Sequence, residues 1–319
     1  MKIVVLDGYT MNPGDISWAA LEALGELTVY DRTTAEKTVE RIGGAEIVLT
    51  NKTQLTAKVF DTLRGIRYVG VLATGYDVVD VAAANQRGIP VCNVPGYATD
   101  AVAEMVFALL LELCRHTGAH AEAVKNGEWA VSPDFCFWKY SMTELAGKSM
   151  GIVGMGRTGQ KTATIAQAFG MKVLAVSGSR TLPESDALRY VTMEQLLSQS
   201  DVISLHCPLT DATKYLINQE TLSRMKDGVL FINIARGGLI DEQALADALE
   251  SGRVAGAAVD VVSAEPIRAD NPLLGAKNII ITPHIAWAAR SARERLMEQT
   301  AKNVAAFLSG QPVNVVNGM

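Results

Sequence analysis

Short runs of apolar residues alternate with segments of helical periodicity along almost the whole chain. The runs consist mostly of Val, Ile and Leu, without the polar alternation of a half-exposed strand. Such runs are typical of parallel strands covered by helices on both faces, so the pattern predicts an α/β fold. The predicted strands are KIVVL (2–6), IVLT (47–50), IRYVGV (66–71), IPVCNV (89–94), SMGIVG (149–154), KVLAVS (172–177), DVISLH (201–206), VLFINI (229–234), VAGAAVD (254–260) and NIIITP (278–283), with helices near 15–24 and 78–87.

One predicted helix differs from the others in its composition. The segment from Asp100 to about Thr117, DAVAEMVFALLLELCRHT, is apolar nearly all round. We expect such a helix to be buried between domains or between subunits, and its charged residues argue against a membrane span. The loop after it, WAVSPDFCFWKY (129–140), is rich in aromatic residues. It suits either a subunit contact or a loop folded over its own domain.

Composition adds limits on size, partners and location. A chain of 319 residues exceeds what one hydrophobic core usually supports, which indicates two domains. The net charge of −5 gives no reason to expect nucleic acid or an anionic membrane as a partner. The apolar run at the N-terminus is too short for a signal peptide or a membrane span. The four cysteines form no CxxC pair, so we expect free thiols in a reducing cytoplasm and no metal site.

The segment GIVGMGRTGQ (151–160) contains the glycine pattern G-x-G-x-x-G. Because it follows a predicted strand and opens a predicted helix, it indicates a dinucleotide-binding loop. Gly154 permits the tight turn, Gly156 lets a pyrophosphate approach the backbone, and Gly159 lets the helix pack on the strand. Together with Met155, Arg157 and Thr158, these glycines form the predicted phosphate-binding loop, at the positive end of the helix dipole.

The next predicted strand ends in Ser177-Gly178-Ser179-Arg180, where an NAD site usually has an acidic residue. A carboxylate there would bind the ribose 2′-hydroxyl of NAD and repel the 2′-phosphate of NADP. Ser177 and Ser179 can instead donate hydrogen bonds to a phosphate, and Arg180 can pair with it. The sequence therefore favours NADP(H), although NAD(H) also fits, because hydroxyls bind a ribose as well.

Several long motifs, taken in order, resemble the D-isomer-specific 2-hydroxyacid dehydrogenases. Within that family, ATGYD (73–77), FWKY (137–140) and HIAW (284–287) look most like the glycerate dehydrogenase/hydroxypyruvate reductase branch. The resemblance covers nearly the whole chain. The motifs that carry it are NVPGYATDAVAEMVFALLLE (93–112), the glycine pattern, LHCPLT (205–210), INIARGGLIDEQAL (232–245), AAVDVV and EP within 257–266, and TPHIAW (282–287).

The resemblance implies two Rossmann-like domains and a homodimer. Residues 1–98 and 286–319 would form a flavodoxin-like, discontinuous substrate domain, and residues 99–285 an NAD(P)-binding Rossmann domain. The active site would lie in the cleft between them. The substrate would be a small 2-keto or 2-hydroxy acid, such as hydroxypyruvate or glyoxylate.

Three polar residues that follow predicted strands match the family's catalytic positions. Arg236 follows VLFINI, Glu265 follows AAVD, and His284 follows NIIIT, and open α/β sheets bind their ligands at this edge. Arg236 offers a planar cation for the carboxylate and carbonyl of a keto acid. His284 can donate the proton, and Glu265 can orient its imidazole and stabilise the charged form.

Further site residues rest on the resemblance alone. Asp260 matches the position that holds the nicotinamide carboxamide, and Trp138 matches an aromatic residue that reaches a neighbouring subunit's active site. The other substrate-binding candidates are Lys52, the backbone amides of Ala73, Thr74 and Gly75, and Trp287. The other cofactor-binding candidates are Thr99, His206, Cys207, Pro208, Thr213, Ile234 and Ala235, with Arg236 and His284 serving both cofactor and catalysis.

Two kinds of alternative function are compatible with this scaffold. A formate dehydrogenase would have an amide in place of the acid partner of the histidine, so Glu265 favours a hydroxy acid. A phosphite dehydrogenase keeps all three residues and is distinguished by assay. A dinucleotide-sensing corepressor-like protein would carry extra tails outside the two domains, and the short termini of this chain favour an enzyme.

Overall fold

The computed structural model describes residues 1–178 and 182–318. Within these residues, 3₁₀ helices are found at Ala35–Lys37, Gly237–Leu239 and Pro272–Gly275. The strands are β1 Lys2–Val5, β2 Glu26–Val29, β3 Ile47–Thr50, β4 Tyr68–Val71, β5 Val91–Cys92, β6 Ser149–Val153, β7 Lys172–Val176, β8 Leu188–Tyr190, β9 Val202–Leu205, β10 Val229–Asn233, β11 Val254–Val259 and β12 Ile279–Ile281. The helices are α1 Ala19–Glu22, α2 Thr38–Ile42, α3 Ala57–Thr62, α4 Val81–Asn85, α5 Thr99–Arg115, α6 Thr117–Lys125, α7 Arg157–Ala168, α8 Met193–Gln199, α9 Gln219–Ser223, α10 Glu242–Ser251 and α11 Arg290–Leu308.

Every predicted strand is present, whereas β2 and β8 were not predicted. Both lie at the edge of a sheet, and neither has the long apolar run of a covered strand: β2 is partly exposed along its length, and β8 is short. The helix expected near residues 15–24 is reduced to α1. The Asn12 side chain accepts hydrogen bonds from the backbone N–H of Gly14 and Ile16 and holds this stretch as a loop.

The chain divides into two compact units, and the first contains Met1–Ala98 and the segment from Ala288 onward. Its five strands are parallel and follow the order β2-β1-β3-β4-β5, which is the flavodoxin-like order. Helix α11 belongs to this unit, because Asn303 donates to the backbone oxygen of Asn93 and the Phe307 ring lies 4.8 Å from that of Tyr68.

The second unit, Thr99–Trp287, is built on seven parallel strands in the order β12-β11-β10-β9-β6-β7-β8. Counted from β6, this is the Rossmann order extended by one strand. The strand order reverses between β6 and β9, and open α/β sheets bind ligands at such a point. The two doubly wound sheets confirm the predicted fold class.

Helix α5 packs within the second unit through part of its surface, and the expectation that it also lies between domains or between subunits stays a prediction. It packs on α7, β10 and β11, and Phe107 stacks on Phe169 with ring centroids 5.2 Å apart. Leu110 and Cys114 join the apolar core beneath the sheet. Periodicity indicated that the helix is buried but not which surface covers it. In the part of the chain that the structure describes, neither α5 nor another helix is long and apolar enough to cross a membrane.

Candidate active site

The glycine loop joins β6 to α7 and lies against the residues that follow β9, at the point where the strand order reverses. Gly154 has a φ of +103°, and a Cβ there would lie 2.7 Å from the backbone nitrogen of Cys207. A Cβ on Gly159 would collide with the carbonyl oxygen of Gly154. At Gly156, in contrast, no atom of the described residues lies within 4 Å of the Cβ position. The first and last glycines therefore serve packing, and the middle one leaves room for a ligand to reach the backbone.

Helix α7 begins directly after this loop, with Gly156 as its N-cap residue and no side-chain cap at that position. The amide groups of the first turn and the helix dipole therefore face the space beside Gly156, which suits the pyrophosphate of a dinucleotide. Arg157 is exposed and Thr158 is half-buried. The Met155 side chain is buried in the apolar core, so of this residue only the backbone can contact a ligand.

Strand β7 ends beside Ser177, which is half-buried. Ser179 and Arg180, on which the NADP(H) prediction also depends, lie outside the described residues. Glu184, the first acidic residue after Ser177, accepts a hydrogen bond from the backbone N–H of Tyr190 at 2.8 Å. Its carboxylate is thus engaged in the local fold.

His206 follows β9 and faces the glycine loop, since the Cβ position of Gly154 lies 2.8 Å from the carbonyl carbon of His206. Its Nε2 lies 2.9 Å from the Ser204 hydroxyl, and its buried Nδ1 has no hydrogen-bond partner among the described residues. Burial lowers the pKa of His206 to about 3. Burial also raises the pKa of the neighbouring Cys207 thiol. The turn from Pro208 is closed by Thr213, whose hydroxyl donates to the Pro208 oxygen at 2.7 Å.

Arg236 lies in a loop that the buried side chain of Asn233 shapes. The Asn233 amide donates to the Arg236 oxygen at 2.9 Å, and its oxygen accepts from the Ala235 N–H at 3.0 Å. Ile234 and Ala235 are half-buried, whereas Arg236 is exposed. A Cβ on Gly237 would collide with the backbone of Val262, so this loop packs directly against the one that leads to Glu265.

His284 and Glu265 form a pair across two neighbouring loops. The Nδ1 atom of His284 lies 2.6 Å from Oε2 of Glu265, and the two side chains are 28% and 35% exposed. His284 has a φ of +54°, a left-handed conformation that is uncommon for a residue other than glycine and that occurs often at functional sites. The imidazole is thus oriented by an acid and still accessible to a ligand.

Asp260 holds the backbone around His284. Its carboxylate is buried and accepts hydrogen bonds from the Thr282 hydroxyl at 2.6 Å and from the N–H groups of Ile285 and Ala286 at 2.9 and 2.8 Å. Trp287 adds a bond from its indole nitrogen to the His284 oxygen at 2.9 Å. The sequence analysis missed these roles, because an Asp at a strand end does not show whether it binds a ligand or a neighbouring loop.

The remaining substrate candidates lie in two tied loops of the first unit. The backbone N–H groups of Asn51, Lys52 and Thr53 all donate to the carboxylate of Asp7, at 2.6 to 2.8 Å. The loop with Ala73, Thr74 and Gly75 is joined to this one by the Asn51 amide, which donates to the Leu72 oxygen at 2.6 Å. Asp7 also escaped the sequence analysis, because its partners are distant along the chain.

Trp138 and Thr99 belong to other segments of the second unit. Trp138 belongs to the exposed aromatic segment of the second unit and is 67% exposed. Thr99 is the first residue of α5. The structure therefore pairs Glu265 with His284 and packs the Glu265 loop against the loop that contains Arg236, while the roles of all the candidates stay predictions.

Comparison with known proteins identifies the family. Residues 107–286 match the family model described as D-isomer specific 2-hydroxyacid dehydrogenase, NAD binding domain. The chain is 57% identical to a hydroxypyruvate reductase of Blautia hydrogenotrophica, over 99% of this chain and 100% of that protein. It is 44% identical to a glycerate dehydrogenase of Methylorubrum extorquens, over 99% and 98%.

A similar solved structure is an acyclic imino acid reductase in complex with NADPH and D-Arg, with a TM-score of 0.85 and 32% identity. It matches over 99% of this chain and 100% of that one. The extent of the family match and the full-length relatives confirm the resemblance seen in the motifs. The chain belongs to the D-isomer-specific 2-hydroxyacid dehydrogenase family and is a nicotinamide-dinucleotide-dependent oxidoreductase.

Proposed function

We propose that this enzyme reduces hydroxypyruvate to D-glycerate or glyoxylate to the achiral glycolate. The observation that carries the proposal is the 2.6 Å contact between His284 and Glu265 beside the Arg236 loop. An acid partner for the histidine is what a carbonyl reduction needs, because the alkoxide must receive a proton. The names of the two relatives, hydroxypyruvate reductase and glycerate dehydrogenase, support the same substrate class.

In this proposal each of the three residues has a distinct task. The Arg236 guanidinium binds the substrate carboxylate and polarises the carbonyl oxygen, because its fork donates two parallel hydrogen bonds. His284 holds a proton at Nε2, the ring nitrogen opposite the one that contacts Glu265, and transfers it to the carbonyl oxygen. Glu265 stabilises the imidazolium before that transfer and selects the tautomer after it. A bound reduced nicotinamide would supply the hydride.

The glycine loop and the first turn of α7 would hold the pyrophosphate of the cofactor, and the space around Gly156 supports this. We further propose a preference for NADPH, since no carboxylate stands at Ser177 and the only charged group in the adjacent stretch is Arg180. A related structure has NADPH as its ligand, which agrees with this preference.

Initial rates with hydroxypyruvate, measured side by side with NADPH and NADH, test the reaction and the preference together. We expect turnover with both and a lower KM for NADPH. Arg180→Ala should raise the KM for NADPH about tenfold and leave that for NADH within twofold, because only NADPH carries the 2′-phosphate. An equal rise of the KM for NADPH and of the KM for NADH would contradict a contact between Arg180 and the 2′-phosphate. Turnover of phosphite, with none of hydroxypyruvate or glyoxylate, would replace the proposed reaction by the alternative on this scaffold.

The substrate carboxylate would also be bound by the backbone N–H groups of Ala73, Thr74 and Gly75 and by Lys52. Support comes from the hydrogen bonds that tie these loops together through Asn51 and Asp7. Trp287, fixed to the His284 oxygen, would line the pocket near the imidazole. Asp260 would add the nicotinamide carboxamide to the groups it already binds.

We also propose that the enzyme is a homodimer that uses the aromatic segment 129–142. Phe135 and Trp138 are 89% and 67% exposed, and a cavity of about 480 Å³ lined by Trp129, Phe137 and Met142 opens beside them. Contiguous exposed apolar surface of this kind usually marks a contact with another protein. Light scattering on the wild type should give twice the chain mass, and Phe135→Ser with Trp138→Ser should give the monomer mass. A monomeric wild type would contradict this.

A cytoplasmic location is part of the proposal. All four cysteines are free thiols, and Cys92 and Cys114 are buried, as befits a reducing compartment. Fractionation of cells that express the enzyme at native level tests the location.

A further inference from the structure

The carboxylate of Glu242 closes the loop that carries Glu265. Glu242 is the first residue of α10, and its Oε1 accepts from the Ser263 N–H at 2.7 Å. Its Oε2 accepts from the Ser263 hydroxyl at 2.6 Å and from the Asn271 amide at 3.0 Å. Ser263 and Asn271 bracket the stretch that contains Glu265. One carboxylate thus holds both ends of this loop.

The same loop is fixed to the Arg236 loop. A Cβ on Gly237 would collide with the backbone of Val262 and with the Ser263 nitrogen, so the two backbones lie in direct contact. Gly237 immediately follows Arg236, and Ser263 lies shortly before Glu265. A contact that fixes Ser263 therefore also helps to fix the Glu265 loop relative to the Arg236 loop.

The contacts of Glu242 are not explained by the needs of its own helix. An acidic residue in a first turn is favoured by the helix dipole alone. The N-terminus of α10 is already capped by Asp241, whose side chain accepts from the Ala244 N–H at 3.1 Å. The hydrogen bonds of Glu242 are instead directed out of the helix, to side chains and backbone of the catalytic loop.

We infer that Glu242 is a positioning residue for the reduction proposed above. It touches no reacting atom and acts through Ser263, by keeping Glu265 within hydrogen-bond distance of His284 and its loop against the loop of Arg236. The inference rests on the proposed function. Because small displacements of catalytic groups have large effects on rate, loosening this loop should lower kcat more than it affects cofactor binding.

Asp201 provides a matched control at the amino-terminal ends of the strands, opposite to the end that carries the Glu265 and His284 loops. Its Oδ2 accepts from the N–H and the hydroxyl of Ser149, at 2.8 and 3.2 Å, which is the same pair of bonds that Glu242 makes with Ser263. Ser149 begins β6 and Asp201 precedes β9, so this contact lies at the amino ends of the strands. It resembles the Glu242 contact chemically and lies away from the catalytic loops.

The test compares full-length Glu242→Gln with full-length Asp201→Asn. With hydroxypyruvate as substrate, Glu242→Gln should lower kcat about 10- to 100-fold and increase the solvent deuterium isotope effect, because proton transfer from a misplaced His284 limits the rate. Cofactor affinity, read from protein fluorescence, should stay within twofold. Hydrogen–deuterium exchange in the stretch 262–271 should become faster. Asp201→Asn should keep kcat within twofold, even where it lowers the melting temperature.

Three outcomes would overturn the inference. Wild-type kcat and exchange in Glu242→Gln would show that the loop does not depend on this carboxylate. An equal loss of kcat in Asp201→Asn would show that both act through stability. A wild type without turnover would remove the proposed function itself, and the positioning role with it. Should Glu242→Gln fail to fold, Ser263→Ala deletes one of the same bonds and should lower kcat in the same direction, whereas an unchanged kcat would contradict the role.

Discussion

His284 and His206 both follow parallel strands of the same sheet, yet their surroundings differ in every respect that matters for proton transfer. His284 has an acid 2.6 Å from Nδ1, and its side chain is partly exposed. His206 contacts the neutral Ser204 hydroxyl, its Nδ1 is buried, and burial lowers its pKa to about 3. A position at the carboxyl edge of the sheet is therefore insufficient for a proton donor, because the charged form also needs a nearby acid and a ligand within reach.

Replacing His284 tests the largest difference that we expect between the two histidines. His284→Ala should lower kcat about 10²- to 10⁴-fold, the usual contribution of a general acid. Dinucleotide binding, followed by fluorescence, should persist, because the glycine loop is unchanged. His206→Gln serves as the comparison variant and should lose less than tenfold in kcat at saturating dinucleotide. An active His284→Ala enzyme would remove this residue from the mechanism.

Glu265→Gln tests whether the acid is what distinguishes the two histidines. The amide retains a hydrogen-bond acceptor and loses the charge, so about 1.5 to 3 kcal/mol of a charged hydrogen bond is at stake. We expect kcat to fall about 10- to 100-fold. A wild-type kcat in Glu265→Gln would show that orientation by a neutral partner suffices.

Arg236→Lys separates the effect on substrate binding from the effect on proton transfer. Lysine keeps the charge and loses the planar fork, so the KM for hydroxypyruvate should rise about tenfold. The solvent isotope effect on kcat should stay near that of the wild type, since His284 and Glu265 are intact. An isotope effect as large as the one expected for Glu242→Gln would mean that Arg236 also positions the imidazole.

The smallest expected effect concerns stability rather than activity. The folded pKa of His206, about 3, lies below the ordinary value of 6.5, so the unfolded chain takes up the proton first as the pH falls. This residue should therefore remove about 2 kcal/mol of stability between pH 7 and pH 5, with further loss down to about pH 3. Denaturant unfolding of the wild type and His206→Gln at both pH values measures the difference. An equal loss of unfolding free energy between pH 7 and pH 5 in the wild type and in His206→Gln would contradict a neutral His206 in the folded protein.

Covered strands and the dinucleotide loop could be predicted from the sequence because their signals are local. A run such as VLFINI determines a covered strand at the same residues, and the spacing of Gly154, Gly156 and Gly159 determines the turn that they form. The edge strand β2 lacked such a run and was missed. Helix α5 was recognised as apolar, and its packing on α7, β10 and β11 was not predicted, because an apolar surface does not identify the residues that cover it.

The candidate catalytic residues were indicated by the family resemblance, whereas the residues that hold their loops were not predicted in that role. Asn233, Asp260 and Glu242 act through hydrogen bonds to other loops, and nothing near them in the sequence marks those partners. Whether Ser177, Ser179 and Arg180 bind a phosphate stays a prediction.

The fold class and the glycine loop follow from the sequence, because apolar periodicity and glycine spacing act over a few residues, and the resemblance to the family indicated Arg236, Glu265 and His284 as the catalytic candidates. Only the tertiary structure decided that His284 meets an acid while His206 does not, and that Glu242 holds the Glu265 loop. These contacts join residues far apart in the chain, and it is the parallel register of the strands that aligns their carboxyl ends and brings the loops together.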